Sequence, residues 1–250
     1  MAKLNKTLII LFILLAVYIL YYYCEYNETY ETASKRTLDT DGIVIFHNPK
    51  YQEIVDYPSY ELKKDALSYL PTDYVFIDYI YKISNSALFT FHRDVTSSKN
   101  IFKTKYPVYT LIVYNTDGCL ISYCPGSHKS YPFVHSHIVN YTGTPGTVVL
   151  FDSDVLHAGC INKCTPRQVV QYKLCHKDDL IKLSSLDGIY KDKKEICNDT
   201  LKNRALRKSS YYFEFVINYI FTPFMMKKHD PNTFQGYLQS LVPITYYNNA

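Results

Sequence analysis

The 250-residue chain has no tryptophan. It holds only 8 Gly and 11 Pro, too few for a collagen-like or low-complexity chain. Charge is scarce as well, at 20% of residues against 47% hydrophobic, which excludes a disordered chain. Net charge is small: the formal value is +4, and Lys3 and Lys6 carry two of those charges in the first 24 residues, which hold no acid. The remainder has 27 − 2 = 25 Lys and Arg against 23 Asp and Glu, a net of +2. A near-neutral body has no electrostatic footprint for DNA or RNA, so no nucleic-acid partner is expected. What is abundant is Tyr, with 27 residues, and Phe, with 13. The length suits one domain with a substantial core. The excess of Tyr, Ile, Asn and Lys points to AT-rich codons, which concerns source and not function.

Residues 8–23, LIILFILLAVYILYYY, carry no charge. With Thr7 and Cys24 they reach the short end of the roughly 17–25 residues that span a bilayer. The Tyr run at the end suits a membrane–water interface. A cleaved signal peptide is the rival, but it needs small residues after the apolar run, and Tyr-Tyr-Tyr-Cys-Glu follows instead. The expectation is therefore an uncleaved transmembrane helix over 1–24. Lys3 and Lys6 before it, and Glu25, Glu28 and Glu31 after it, place the N-terminus in the cytosol and the body in the lumen or outside. Sequons at Asn27, Asn140 and Asn198 agree with that side. So do six further Cys (119, 124, 160, 164, 175 and 197), an even number suited to disulfides. Structural zinc from Cys119-x4-Cys124 and Cys160-x3-Cys164 is the alternative, at spacings unlike the usual knuckle.

Beyond a polar linker at 25–37, a compact core is expected over 38–176 and a mostly helical extension over 177–250. Helix formers fill 59–70 until Pro71. Strand-like runs cover 43–46, 74–83, 87–91, 108–114, 119–123, 147–151 and 167–174, separated by turn signals such as Asn115-Thr116-Asp117-Gly118 and Gly143-Thr144-Pro145-Gly146. Many short strands at this density predict a mainly β fold with flanking helices, a sandwich or jelly roll.

Phe91-His92-Arg93-Asp94 closes one such run. Residues two apart on a strand share a face, so His92 and Asp94 can bind one ion together. His157 closes another run and completes a set of two His and one carboxylate. That set covers one face of an octahedral metal and leaves the rest open, as non-haem Fe(II) oxygenases require. An HxD triplet alone is weak, being common at surface strand ends. Arg167 adds weight, because an Arg inside a barrel needs a carboxylate partner. The far carboxylate of 2-oxoglutarate would be such a partner.

Four blocks, in order, carry a resemblance. They are His92-x-Asp94; Gly118-Cys119-Leu120 with Pro125-Gly126-Ser127-His128-Lys129; Pro145-Gly146-Thr147-Val148-Val149-Leu150-Phe151; and His157-Ala158-Gly159 with Asn162 and Arg167. Over roughly 38–176 the chain resembles phytanoyl-CoA dioxygenase-like proteins of the Fe(II)/2-oxoglutarate-dependent superfamily. The resemblance implies a double-stranded β-helix of the jelly-roll or cupin-like kind. It implies Fe(II) on His92, Asp94 and His157, 2-oxoglutarate on Arg167, and ascorbate as reductant. It also implies a Tyr touching 2-oxoglutarate on the strand before HxD, for which Tyr81 is nearest and Tyr79 and Tyr74 compete. Retention of Asp94 points to hydroxylation and away from halogenation. The Tyr-rich, AT-biased style is similar to that of giant-DNA-virus proteins.

Other groups read as bystanders. His135 and His137 share a face but lack a nearby carboxylate. Asp152 and Asp154 read as turn or supporting residues, Asn162 as support for the Arg167 loop, and His128 and Lys129 as a solvated hairpin end or a substrate contact. The expected substrate is a small molecule, a lipid or a protein side chain. The rival function is a non-catalytic jelly-roll binding module at a membrane or virion surface.

Overall fold

A computed structural model describes residues 6–25, 27–53, 56–84, 88–97, 99, 102–131, 136–161, 167–194, 200–221, 232–234 and 236–237. Among the described residues, ten strands form two sheets. The larger holds β2 (Ile43–His47), β3 (Tyr74–Ser84), β4 (Tyr109–Tyr114), β7 (Thr147–Asp152), β9 (Gln168–His176) and β10 (Ile189–Lys194), in the spatial order β10-β3-β9-β4-β7-β2. The smaller holds β1 (Glu28–Glu31), β5 (Gly118–Tyr123), β6 (Ile138–Gly143) and β8 (His157–Gly159), in the order β1-β6-β5-β8. An isolated antiparallel bridge joins His92 to His157 and adds the 91–94 segment beside β8. The chain therefore passes from β3 to the small sheet at His92, to β4, back through β5 and β6, then β7, β8 and β9. That alternation between facing sheets is jelly-roll connectivity.

Strand parity explains which side chains lie between the sheets. In β4, Tyr109, Leu111 and Val113 join a cluster with Leu62 and Ala66 of helix α3 (Tyr60–Ser68), on the outer face. Ile112 and Tyr114 join the cluster between the sheets, with Leu120, Ile121, Tyr123, Val139, Val149 and Phe151. Helix α3 starts where Ser59 accepts from the Leu62 amide, and it ends ahead of Pro71. The short helix α2 (Leu38–Asp41) is closed by Gly42 at φ +75, where a side chain would also collide with His128 and Val155. A disulfide joins Cys119 in β5 to Cys160 just past β8, with the Cα atoms 5.7 Å apart. That pairing takes one thiolate from each of the two Cys pairs a zinc site would need. Cys124 and Cys175 are free and buried.

The expected membrane anchor is not upheld. The apolar segment is helical, as α1 (Lys6–Glu25), but among the described residues no helix is long and apolar enough to cross a membrane. Tyr18 packs against the buried cluster of Phe91, Cys124, Ile138, Leu156, Ala158 and Tyr211, so that end of α1 lies on the body. The single-pass topology with a luminal domain falls with it.

Three strands arise where none was expected. β1 lies within 25–37 and pairs parallel to β6, and β10 lies beyond 177 and pairs parallel to β3. β6 follows the His135-Ser136-His137 stretch. Among the described residues from 177 on, the further named elements are a 3-10 stretch (Lys177–Leu186), helix α4 (Leu201–Tyr212) and a π-helical turn (Val216–Phe221).

Candidate metal centre

The 91–94 segment and β8 are locked together by reciprocal backbone bonds. The His92 amide donates to the His157 carbonyl at 2.9 Å, and the His157 amide returns one at 3.0 Å. The Asp94 amide donates to Ser153 O at 3.0 Å, in the turn between β7 and β8. His157 opens β8 and does not close the preceding strand, and the segment before it is a turn. His92 belongs to a bridge and not to a full strand, yet the same-side relation of His92 and Asp94 holds.

His92, Asp94 and His157 each offer one ligand atom, all within 4.8 Å of one another. His92 Nε2 is 3.8 Å and His157 Nε2 is 3.7 Å from Asp94 Oδ1. The imidazole centroids are 4.5 Å apart, and Phe151 lies 4.4 Å from the His157 ring on the inner side. His92 Nδ1 faces Thr90 O, and His157 Nδ1 faces Val155 O, both at 2.9 Å. A carbonyl only accepts, so each Nδ1 carries the proton and each Nε2 presents a lone pair inward. Two lone pairs and a carboxylate oxygen therefore converge on one point, a donor set suited to a cation. Burial pushes both imidazoles down, His157 to about 3, where the His92 ring adds to the effect of burial. They are neutral and able to ligate. Burial alone would raise the Asp94 carboxyl, but the Lys173 ammonium and the two His hold it well below the usual range. The three residues fit a divalent metal ion of the Fe(II) kind.

Arg167 is buried, immediately before β9. Its guanidinium donates to Leu120 O at 3.1 Å and lies 5.4 Å from the Tyr114 ring centroid. Burial presses its pKa down and the Tyr114 hydroxyl opposes that. Tyr81 is buried and paired across the sheet with Gln171, in the inner cluster that also holds Tyr79. Tyr74 belongs to the outer cluster and its hydroxyl donates to Pro107 O. The structure thus brings the three ligands together and buries both Arg167 and Tyr81.

The other singled-out groups take supporting places. The Asp154 amide donates to Asp152 Oδ1, and Ser97 donates to the Asp154 carboxylate. His128 is half-buried beneath Gly42, Lys129 pairs with Asp39 at the surface, and His137 lies just before β6. His135 and Asn162 lie outside the described residues, as do Cys164 and Cys197. The sequence reading missed Lys173, whose ammonium is buried and 2.6 Å from Asp94 Oδ2. It also missed Arg207 of α4, which donates to Phe89 O and Gly159 O, each at 2.9 Å, beside both ligand-bearing segments.

No family model matches the chain, and no curated protein matches it. Solved structures do. EvdMO1 aligns over 48% of this chain and 31% of its own, with 16% identity and a TM-score of 0.38. EvdO2 from Micromonospora carbonacea var. aurantiaca aligns over 60% of this chain and 94% of its own, with 12% identity and a TM-score of 0.43. The non-heme monooxygenase ThoJ aligns over 72% of this chain and 98% of its own, with 12% identity and a TM-score of 0.41. At such identities and scores the functional reading rests on the residues themselves.

Proposed function

We propose that the chain is a non-haem Fe(II) oxygenase that consumes 2-oxoglutarate and O2 and returns a hydroxylated substrate, succinate and CO2. The observation that carries this reading is the convergence of His92 Nε2, His157 Nε2 and Asp94 Oδ1, with both Nδ1 protons spent on backbone carbonyls. When bound, Fe(II) supplies activation of O2 coupled to oxidation of 2-oxoglutarate. The chain's own residues hold and orient. His92, Asp94 and His157 grip the metal, and Phe151 packs against His157 and keeps water from that side. Arg167, a buried planar cation, suits the far carboxylate of 2-oxoglutarate, and Tyr81 is a further candidate contact. Ascorbate is the proposed reductant, and the substrate class is a small molecule, a lipid or a protein side chain.

The Lys173–Asp94 pair favours a second reading, a non-catalytic binding module, since it already neutralises the carboxylate without a metal. One experiment separates the two. Protein loaded with Fe(II) in the absence of O2 is titrated with 2-oxoglutarate while the visible charge-transfer band is followed. The oxygenase reading expects a band in the wild type, its loss in His157→Ala and its weakening in Arg167→Ala. A folded, iron-exposed wild type with no band would favour the binding module.

A further inference from the structure

The two oxygens of Asp94 do different work. Oδ1 faces the imidazoles, at 3.8 and 3.7 Å from their Nε2 atoms. Oδ2 accepts from Lys173 Nζ at 2.6 Å and from the Thr110 hydroxyl. Lys173 Nζ also donates to Thr110 Oγ1 at 2.6 Å, which closes a triangle. Thr110 of β4 and Lys173 of β9 are direct cross-strand partners, so the two side chains leave the sheet at one height. Both are buried, at 0% and 3% exposure, and a buried ammonium is tolerable only against a carboxylate.

We propose that Lys173 is a positioning residue of the metal centre: with Thr110 it reserves Oδ2 of Asp94, so that the carboxylate gives the cation Oδ1 alone. The inference rests on the metal reading above and adds what that reading does not contain. A one-oxygen carboxylate leaves an additional coordination position free, which a bidentate one would fill. The arrangement also has a cost. The ammonium and the metal ion share one carboxylate, and like charges at such range oppose each other. Lys173 therefore weakens metal binding while keeping the site open.

The test uses the full chain, stripped of metal and titrated with Co(II). Affinity is measured by competition with a chelator, and coordination by the visible ligand-field bands. The wild type is expected to bind, and His157→Ala is expected not to. K173M is expected to bind Co(II) roughly tenfold tighter, with weaker bands, because a carboxylate freed at Oδ2 becomes bidentate and raises the coordination number. T110V, which keeps the ammonium and removes one anchor of Oδ2, is expected to weaken the bands less. K173M that stays folded with unchanged or weaker affinity and an unchanged spectrum would overturn the inference and leave the metal reading intact. Where K173M fails to fold, the T110V spectrum decides: bands identical to those of the wild type overturn the inference. A wild type that binds no Co(II) would sink the metal reading itself, and the inference with it.

Discussion

Asp152, at the end of β7, is a buried carboxyl with another acid, Asp154, beside it. Burial, reinforced by the Asp154 charge, raises its pKa to about 7. The folded chain thus keeps a proton that the unfolded chain gives up near pH 3.8. Between those values stability falls as pH rises, by ~1.4 kcal/mol for each unit crossed at the limit. Above pH 7 the loss is complete and the slope vanishes. Asp152→Asn keeps the oxygen that accepts from the Asp154 amide and removes the charge. The variant's thermal midpoint, relative to wild type, is expected to climb from pH 4 to pH 7 and then level off. A difference that stays constant across that range would contradict the assignment. The same residue scale shows what could be read from sequence. Arg167 is placed inside on chemical grounds, and period-two alternation then places 169, 171 and 173 inside as well. Lys173 was within reach of that argument. It is hidden because the outer positions Val170, Tyr172 and Leu174 are themselves apolar, being covered by the α3 cluster. Gln171 and Lys173 therefore look like a solvent face when they in fact point inward.

At the scale of elements, α4 serves as a backing for both ligand-bearing segments. The Arg207 guanidinium donates to Phe89 O, Gly159 O and, at 2.6 Å, Ser122 Oγ, and it stacks 4.6 Å from the Phe91 ring centroid. The 91–94 segment has β8 on one side only. On the other side its outward amides are met by side chains: Phe91 N donates to Ser210 Oγ at 2.7 Å, and Arg93 N to Asn218 Oδ1 at 2.9 Å. A helix thus stands where another strand would pair. Ser210→Ala strands a buried amide and is expected to cost about 1–3 kcal/mol in denaturant unfolding. Arg207→Ala leaves buried acceptors on Phe89, Gly159 and Ser122 unmet and is expected to cost at least about 1–3 kcal/mol. It is also expected to weaken Co(II) binding although it touches no metal. Unchanged stability and unchanged binding in Arg207→Ala would refute the backing role. Elements with strong apolar periodicity, such as β4, β7 and α3, are plain in the sequence. β1 (ETYE) and β10 (IYKDKK) are not, because edge strands carry charge in place of an apolar face. Pairing in space, not local pattern, makes them strands.

At the scale of the molecule, the metal centre depends on chain far outside the segment that carries its ligands. Residues 38–176 contain the triad, Arg167, Tyr81 and Lys173, and the sequence presents 177–250 as a mostly helical extension packed on that core. The structure adds four dependencies from beyond those limits. Glu28 accepts from Asn140 in β6, and its carboxylate lies 3.9 Å from Arg207. β10 covers the free edge of β3. Leu183 and Leu186 complete the inner cluster that holds Tyr79 and Tyr81. Glu214 stands 3.5 Å from the guanidinium of Arg93, a buried cation within the ligand segment itself. Removing Glu214 alone leaves that cation uncompensated, a change worth about 3–5 kcal/mol, against total domain stabilities of roughly 5–15 kcal/mol. The separated core of 38–176 therefore lacks the margin to fold. Its far-ultraviolet circular dichroism is expected to show no cooperative melt, and Co(II) is expected to give no ligand-field band. A chain cut to 27–221, which keeps every one of these contacts, is expected to melt cooperatively and to bind Co(II). If the shorter fragment folded and bound as well as the longer one, the flanking elements would be decoration on an autonomous site, and the dependence argued here would be wrong.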